Sequence, residues 1–288
     1  MKLIPIIYHN LEYPSHINAN IKEVASHFDV SKLDNKLVNH QFSLHTEYSA
    51  THRNFSSELI NNYPTILSSQ SKSKNSKPIL WISEQWAFEF ADFIIKLLNG
   101  KVPKIIEIHP PNKRRTKVET FMDYYEIFRN TLLDNGIDCE ISIENRNGFM
   151  LSGINDFKNL SNEIDKRNSN LKLILDFPQL LNFEKAKKDI PILKNTMNGI
   201  KGFKHNVSSF HIWGQKGRSA HMGDMSDYFN YNERLKELFY ENIKELFLHI
   251  EKDLYFIPEI NFGIKDKKSK KDCLKNIVND LENIGFSF

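Results

Sequence analysis

Short apolar runs rich in β-branched residues recur along the chain and alternate with longer stretches of helical periodicity. Leu3–Tyr8, Phe42–Leu44, Ile105–Ile108, Cys139–Ile143, Leu171–Leu175, Val207–Ile212 and Tyr255–Ile260 read as strands buried on both faces, as in a parallel sheet. Between them, Trp86–Leu98, Val118–Leu133, Phe183–Met197, Asn232–Ile250 and Lys271–Ile284 repeat apolar residues at helical spacing. Gly100 and Gly136 stand just past the first two, where helices commonly end. Strand then helix, repeated, predicts a parallel sheet with helices outside it. Seven strands are visible, and residues 11–40 are the stretch that could hold an eighth. A prior of roughly 150 residues per domain allows two domains, but closed α/β barrels commonly reach about 250 residues as one. The pattern therefore predicts a single (β/α)8 TIM-barrel domain over 1–288. Neither Gly-x-Gly-x-x-Gly nor Gly-Lys-Ser/Thr follows any strand, which counts against an open nucleotide-binding sheet.

Composition narrows the chemistry. With 40% hydrophobic and 12% aromatic residues, the chain is not a disordered one. Its two cysteines, Cys139 and Cys273, exclude a disulfide scaffold and a thiolate zinc site and suit a reducing compartment. Eleven histidines stand against them, so a metal site here would be built from imidazole and carboxylate. The net charge of +3 permits nucleic acid without pointing to it. Met1–Tyr8 is too short for a secretory signal, and no run of about 18 apolar residues could span a bilayer. The expectation is a cytoplasmic protein without a membrane partner. The Ser- and Lys-rich stretch 68–77 reads as a flexible surface loop, and 265–271 as a solvated turn before the last helix.

In a barrel, the groups that do chemistry come from the carboxyl ends of several strands and converge on the axis. Here those ends carry His45, His109, Glu144, Asp176, His211 and Glu259. A lone histidine or carboxylate at a strand end is usually structural or a helix cap. Six together form a pattern, because three carboxylates near one axis repel and desolvate one another unless a cation joins them. Mixed imidazole and carboxylate suit zinc or manganese, with iron also admissible, rather than calcium or magnesium. Six side chains exceed one catalytic zinc, so two divalent transition metals sharing a carboxylate fit better. Such pairs, roughly 3.5–4 Å apart, clamp a phosphate and activate the water that attacks it.

From His45 to Glu259, in strand order, the chain resembles the xylose-isomerase-like TIM barrels, and within them the endonuclease IV and UV-damage endonuclease (AP endonuclease family 2) branch. The motifs are His45-Thr-Glu-Tyr48, His109-Pro-Pro, Glu144-Asn145, Asp176-Phe-Pro-Gln179, His211-Ile with His221 in the following loop, and Glu259-Ile-Asn261. The resemblance implies that His45, His109 and Glu144 hold one metal. It implies that Glu144, Asp176, His211 and Glu259 hold a second, with Glu144 bridging. Family members usually carry a third. Of its ligands only His221 remains here, since Gln179 and Ser219 replace a histidine and an aspartate, so a third metal is expected to be weak or absent.

The activity so implied is hydrolysis of a DNA phosphodiester, including at abasic or damaged sites, with Glu144, Glu259 and His109 in the catalytic machinery. The runner-up is a single-metal sugar isomerase or epimerase of the same superfamily acting on a small sugar. A degenerate barrel used only for binding is a third reading, which the intact ligand set opposes. Lys113, Arg114 and Arg115 follow the His109 strand, and Lys216 and Arg218 lie in the glycine-containing loop after His211. They are expected to hold phosphates, although an ordinary basic loop explains 113–117 equally well. Tyr48 would stack on a sugar or wedge into a duplex, and Gln179 would line the substrate pocket. Trp81, Trp86 and the phenylalanines of 88–93 read as core, and His9, on the first strand, as a further residue at the barrel mouth. His205, before a strand, and His249, inside a helix, read as structural or surface residues.

Overall fold

The computed structural model of the chain describes residues 2–25, 41–46, 61–69, 79–113, 115–216, 219–261 and 267–288. The strands are β1 (Leu3–Ile7), β2 (Ile21–Ala25), β3 (Gln41–His45), β4 (Ile105–Ile108), β5 (Glu140–Glu144), β6 (Lys172–Asp176), β7 (Val207–Ile212), the two-residue β8 (Gln215–Lys216) and β9 (Ser219–Ala220), and β10 (Leu254–Pro258). Eight of them close a barrel in the order β1-β10-β7-β6-β5-β4-β3-β2, while β8 and β9 form a separate antiparallel ribbon. This is the (β/α)8 fold expected, and its eighth strand, β2, lies inside the stretch 11–40. Each of the seven strands read from the sequence is present within two residues of the expected bounds.

Contacts gather the chain into two compact units: Met1–Glu23, Ser152–Lys158 and Leu173–Phe288 form one, and Val24–Leu151 with Asn159–Lys172 the other. In the first, β1, β10, β7 and β6 pair in parallel. A register shift skips Ser208, so that Ile174 partners Ser209 and Asp176 partners His211. Phe177, Phe210, Phe239, Phe247 and Phe256 pack against these strands as a chain of ring contacts. In the second unit β3, β4 and β5 pair in parallel, with His45 beside Glu107 and Glu107 beside Ser142. Trp81, Trp86, Phe90, Phe121 and Phe128 form its aromatic core, and all are buried. Of the residues expected there, Trp81, Trp86, Phe90 and Phe93 are buried, whereas Phe88, on the outer face of the same helix, is exposed.

Two helices agree closely with the sequence. Glu84–Leu98 opens on Ser83, whose hydroxyl accepts the Trp86 N–H, and ends at the left-handed Asn99 just before Gly100. Val118–Asp134 follows the loop after β4. The single helix expected over Phe183–Met197 is instead three pieces: Phe177–Phe183, the 3-10 turn Ala186–Lys188 and Ile190–Ile200. The left-handed Lys185 (φ 61°) marks the first break, and Pro191 accounts for the second. It has no N–H and clashes inside a helix but fits the first turn, where Asp189 caps Ile192. The helix Ile154–Arg167 was not anticipated. The last helix starts at Lys267, so 267–271 belong to it rather than to a turn. Ser68 and Ser69 end the helix Pro64–Ser69, and the rest of the expected loop, 70–77, lies outside the described residues. Among the described residues, no helix is long and apolar enough to cross a membrane.

Candidate metal centre

In the Val24–Leu151 unit, β3, β4 and β5 bring His45, His109 and Glu144 together. His45 and Glu144 are the last residues of their strands, and His109 follows β4 directly. Side chains alternate along a strand, so these three lie one inward step beyond Ser43, Glu107 and Ser142, all fully buried. The Nε2 atoms of His45 and His109 are 3.3 Å apart. Glu144 Oε2 lies 3.0 Å from His109 Nε2 and 3.7 Å from His45 Nε2. Two imidazole nitrogens at that separation require a shared proton or a cation between them. Ligands around a tetrahedral zinc at about 2.0–2.1 Å are separated from one another by roughly 3.3 Å. The three observed separations bracket that value, so this donor set fits a divalent transition metal by both spacing and chemistry.

The set is held by its neighbours. Thr46 donates to the Glu107 carbonyl through its N–H at 3.0 Å and its hydroxyl at 2.7 Å, which fixes the end of β3 against β4. The Trp81 indole N–H donates to the His109 carbonyl at 2.7 Å, and the Thr116 hydroxyl donates to the Trp81 carbonyl at 3.1 Å. Read from sequence as core alone, Trp81 thus also anchors the strand end that carries His109.

In the Leu173–Phe288 unit, Asp176, His211 and Glu259 each offer a ligand atom, and these atoms lie within 4.8 Å of one another. All three are buried. Asp176 ends β6 and caps the helix Phe177–Phe183, and His211 sits beside it on β7. His211 Nδ1 is 3.5 Å from Glu259 Oε1. His221, reached through the ribbon, places Nδ1 3.1 Å from the Glu259 carbonyl and 3.5 Å from its Oε2. Both neighbours are acceptors, so Nδ1 donates to them. Two carboxylates and an imidazole buried together are costly without a cation and suit one.

The other expected residues divide. Gln179 touches Asp176 directly, its amide nitrogen 2.9 Å from Oδ2. Lys113 and Arg115 are exposed in the loop between β4 and the helix Val118–Asp134, as anticipated. Tyr48, Arg114 and Arg218 lie outside the described residues, as does the Lys216 side chain, although its backbone forms β8. His9 is exposed at the turn after β1, with its ring against Tyr8. His205 is exposed in a 3-10 turn before β7, and His249 lies in the turn just past Glu233–Phe247 rather than inside the helix. Sequence reasoning missed Trp213, whose indole N–H donates to Asp176 Oδ2 at 3.1 Å.

A third buried group, Asp224, Asp227 and Cys273, has a structural explanation. Asp224 and Asp227 form the capping box of the short helix Met225–Tyr228. Asn276 donates to Asp224 at 2.7 Å and the Tyr231 hydroxyl to Asp227 at 2.7 Å. Cys139 is partly buried, and burial, then the charges of Asp138 and Glu140, push its thiol up to about 12.

No family model and no curated protein matches this chain. Solved structures do. The chain of the AsfvAP:AG crystal structure superposes with a TM-score of 0.58 at 12% identity, covering 98% of this chain and 100% of that one. A xylose isomerase domain containing protein from Salmonella typhimurium gives 0.54 at 10% identity, covering 92% and 88%. An AP endonuclease, family 2, from Brucella melitensis gives 0.53 at 10% identity, covering 93% and 96%. The chain therefore has the fold of the xylose isomerase-like TIM barrels, AP endonuclease family 2 among them.

Proposed function

We propose that this protein is a metal-dependent phosphodiesterase that cuts the DNA backbone, at abasic or otherwise damaged positions, with two divalent transition metals at the carboxyl end of its barrel. One observation carries the reading: the convergence of His45 Nε2, His109 Nε2 and Glu144 Oε2 at 3.0–3.7 Å. A one-metal enzyme using Asp176, His211 and Glu259 has no need of that second set. In this reading His45, His109 and Glu144 hold one cation. Glu144 would also serve the second, with Asp176, His211 and Glu259. When bound, the pair supplies a nucleophile at neutral pH and charge stabilisation at the attacking and leaving oxygens.

The chain's own groups do the rest. The imidazoles of His45, His109 and His211 stay neutral to coordinate, and the carboxylates of Glu144, Asp176 and Glu259 neutralise cationic charge. Lys113 and Arg115, with Lys216 and Arg218, would hold backbone phosphates and supply no sequence preference. His221 and Gln179 border the Asp176–Glu259 side, where they serve substrate contact rather than a third metal.

The second reading, a single-metal sugar isomerase or epimerase, draws on Asp176, His211 and Glu259, which with Glu144 form a full one-metal set. The fold does not choose, since the isomerase-domain protein and the AP endonuclease superpose almost equally well. Incubation of the protein with a duplex carrying one abasic site, with zinc or manganese, separates the two. Nicking at the site supports the phosphodiesterase; inertness towards DNA together with ketose–aldose turnover supports the isomerase.

A further inference from the structure

Asp176 is held by more donors than a helix cap needs. Its Oδ1 accepts the Gln179 backbone N–H at 3.0 Å. Its Oδ2 accepts both the Gln179 side-chain amide at 2.9 Å and the Trp213 indole N–H at 3.1 Å. A carboxylate has about four acceptor directions, two on each oxygen. Oδ2 takes two of these donors and Oδ1 the third. Trp213 is almost fully buried, and an indole N–H donates only, so this bond fixes the rotation of the carboxylate.

The same ring faces a second group. The His221 imidazole lies against it at a centroid distance of 4.3 Å and a tilt of 30°. The residue after Trp213, Gly214, closes the base of the ribbon: its N–H donates to the Gly223 carbonyl at 2.8 Å, and its carbonyl accepts the Met222 N–H at 3.0 Å. One side chain thus joins a candidate ligand to the segment that carries His221.

We propose that Trp213 is a positioning residue of the metal centre. With Gln179 it fixes the Asp176 carboxylate through Oδ2, and its ring packs against His221, which borders Glu259. The inference rests on the proposed metal centre and not on DNA as the substrate. Partners that orient a ligating carboxylate commonly tune affinity by about 10- to 100-fold.

The test is zinc titration of metal-free protein against a competing chelator. Trp213→Phe keeps an aromatic ring and removes the N–H. One of the two binding events is expected to weaken about 10- to 100-fold while the other keeps its affinity and the metal-free melting temperature stays near wild type. Gln179→Leu removes only the amide donor, is expected to weaken the same event, and decides the matter alone if the Trp213 variant does not fold. Unchanged affinities in both variants overturn the proposal. Equal weakening of both events with a lowered metal-free melting temperature also overturns it, since that marks a general structural role. A wild type that binds a single zinc contradicts the two-metal reading instead, and the same comparison then decides this inference on that one event.

Discussion

The Nε2 atoms of His45 and His109 lie 3.3 Å apart with their rings stacked at 5.0 Å, an arrangement met by a shared proton or by one cation. Metal binding should therefore add to folding stability. A ligand at about 100 times its dissociation constant contributes about 2.7 kcal/mol. At roughly 2–4 °C per kcal/mol for a chain of this size, chelation should lower the melting temperature by about 5–10 °C, and added zinc should restore it. Calorimetry with and without chelator reads this directly; a melting temperature indifferent to chelation contradicts it.

His109→Ala removes the nitrogen common to both short contacts of that set. It should weaken the first metal by more than about 100-fold, beyond the loss expected for an outer partner, and abolish nicking of an abasic duplex at limiting metal. Retained nicking would exclude the set from the chemistry.

Exchanging Lys113 and Arg115 for glutamine should act differently. Both are exposed on the loop after β4. Loss of two phosphate contacts should weaken binding to any duplex and make the salt dependence shallower by about one unit of slope per charge, with little change in kcat. An unchanged salt slope would make this an ordinary basic loop.

Gly214→Ala should disturb the ribbon. A Cβ there would fall on backbone atoms of Gly223 and Asp224, which cannot swing aside as a side chain can. A cost of about 1–3 kcal/mol is expected from overpacking. The His221 imidazole should leave Trp213, visible as a shift of its ring resonances; an unshifted spectrum would show that the loop yields without consequence.

The thiol of Cys139, pushed up to about 12 by burial and two neighbouring acids, should be slow to react near neutral pH. Cys273 is buried as well. A disulfide-exchange reagent should find neither thiol quickly in the native protein and both after unfolding. Fast native reaction would contradict the burial.

Much of the fold and of the candidate site is legible in the order of the amino acids alone. A parallel barrel strand is buried on both faces, so Leu3–Ile7 and Leu254–Pro258 stand out as continuous apolar runs, and Glu259, directly after the second, falls where the barrel places its chemistry. What is not legible depends on partners far along the chain or on competing local rules. Trp213 looks like any core tryptophan until the sheet brings Asp176, 37 residues away, to its N–H. The helix Ile154–Arg167 is a different case: Ile154, Phe157, Leu160 and Ile164 recur at helical spacing and are buried, so its apolar stripe is legible although it is absent from the helices read above. Pro191 sits within an otherwise continuous helical pattern and starts a new helix at Ile190.

The central claim is that two metals bind, one at His45, His109 and Glu144 and one at Asp176, His211 and Glu259. Mass spectrometry of the native protein under non-denaturing conditions counts them directly. The account predicts two zinc or manganese ions per wild-type chain and one in His109→Ala. A wild-type chain that carries a single metal, retained in His109→Ala, would contradict it.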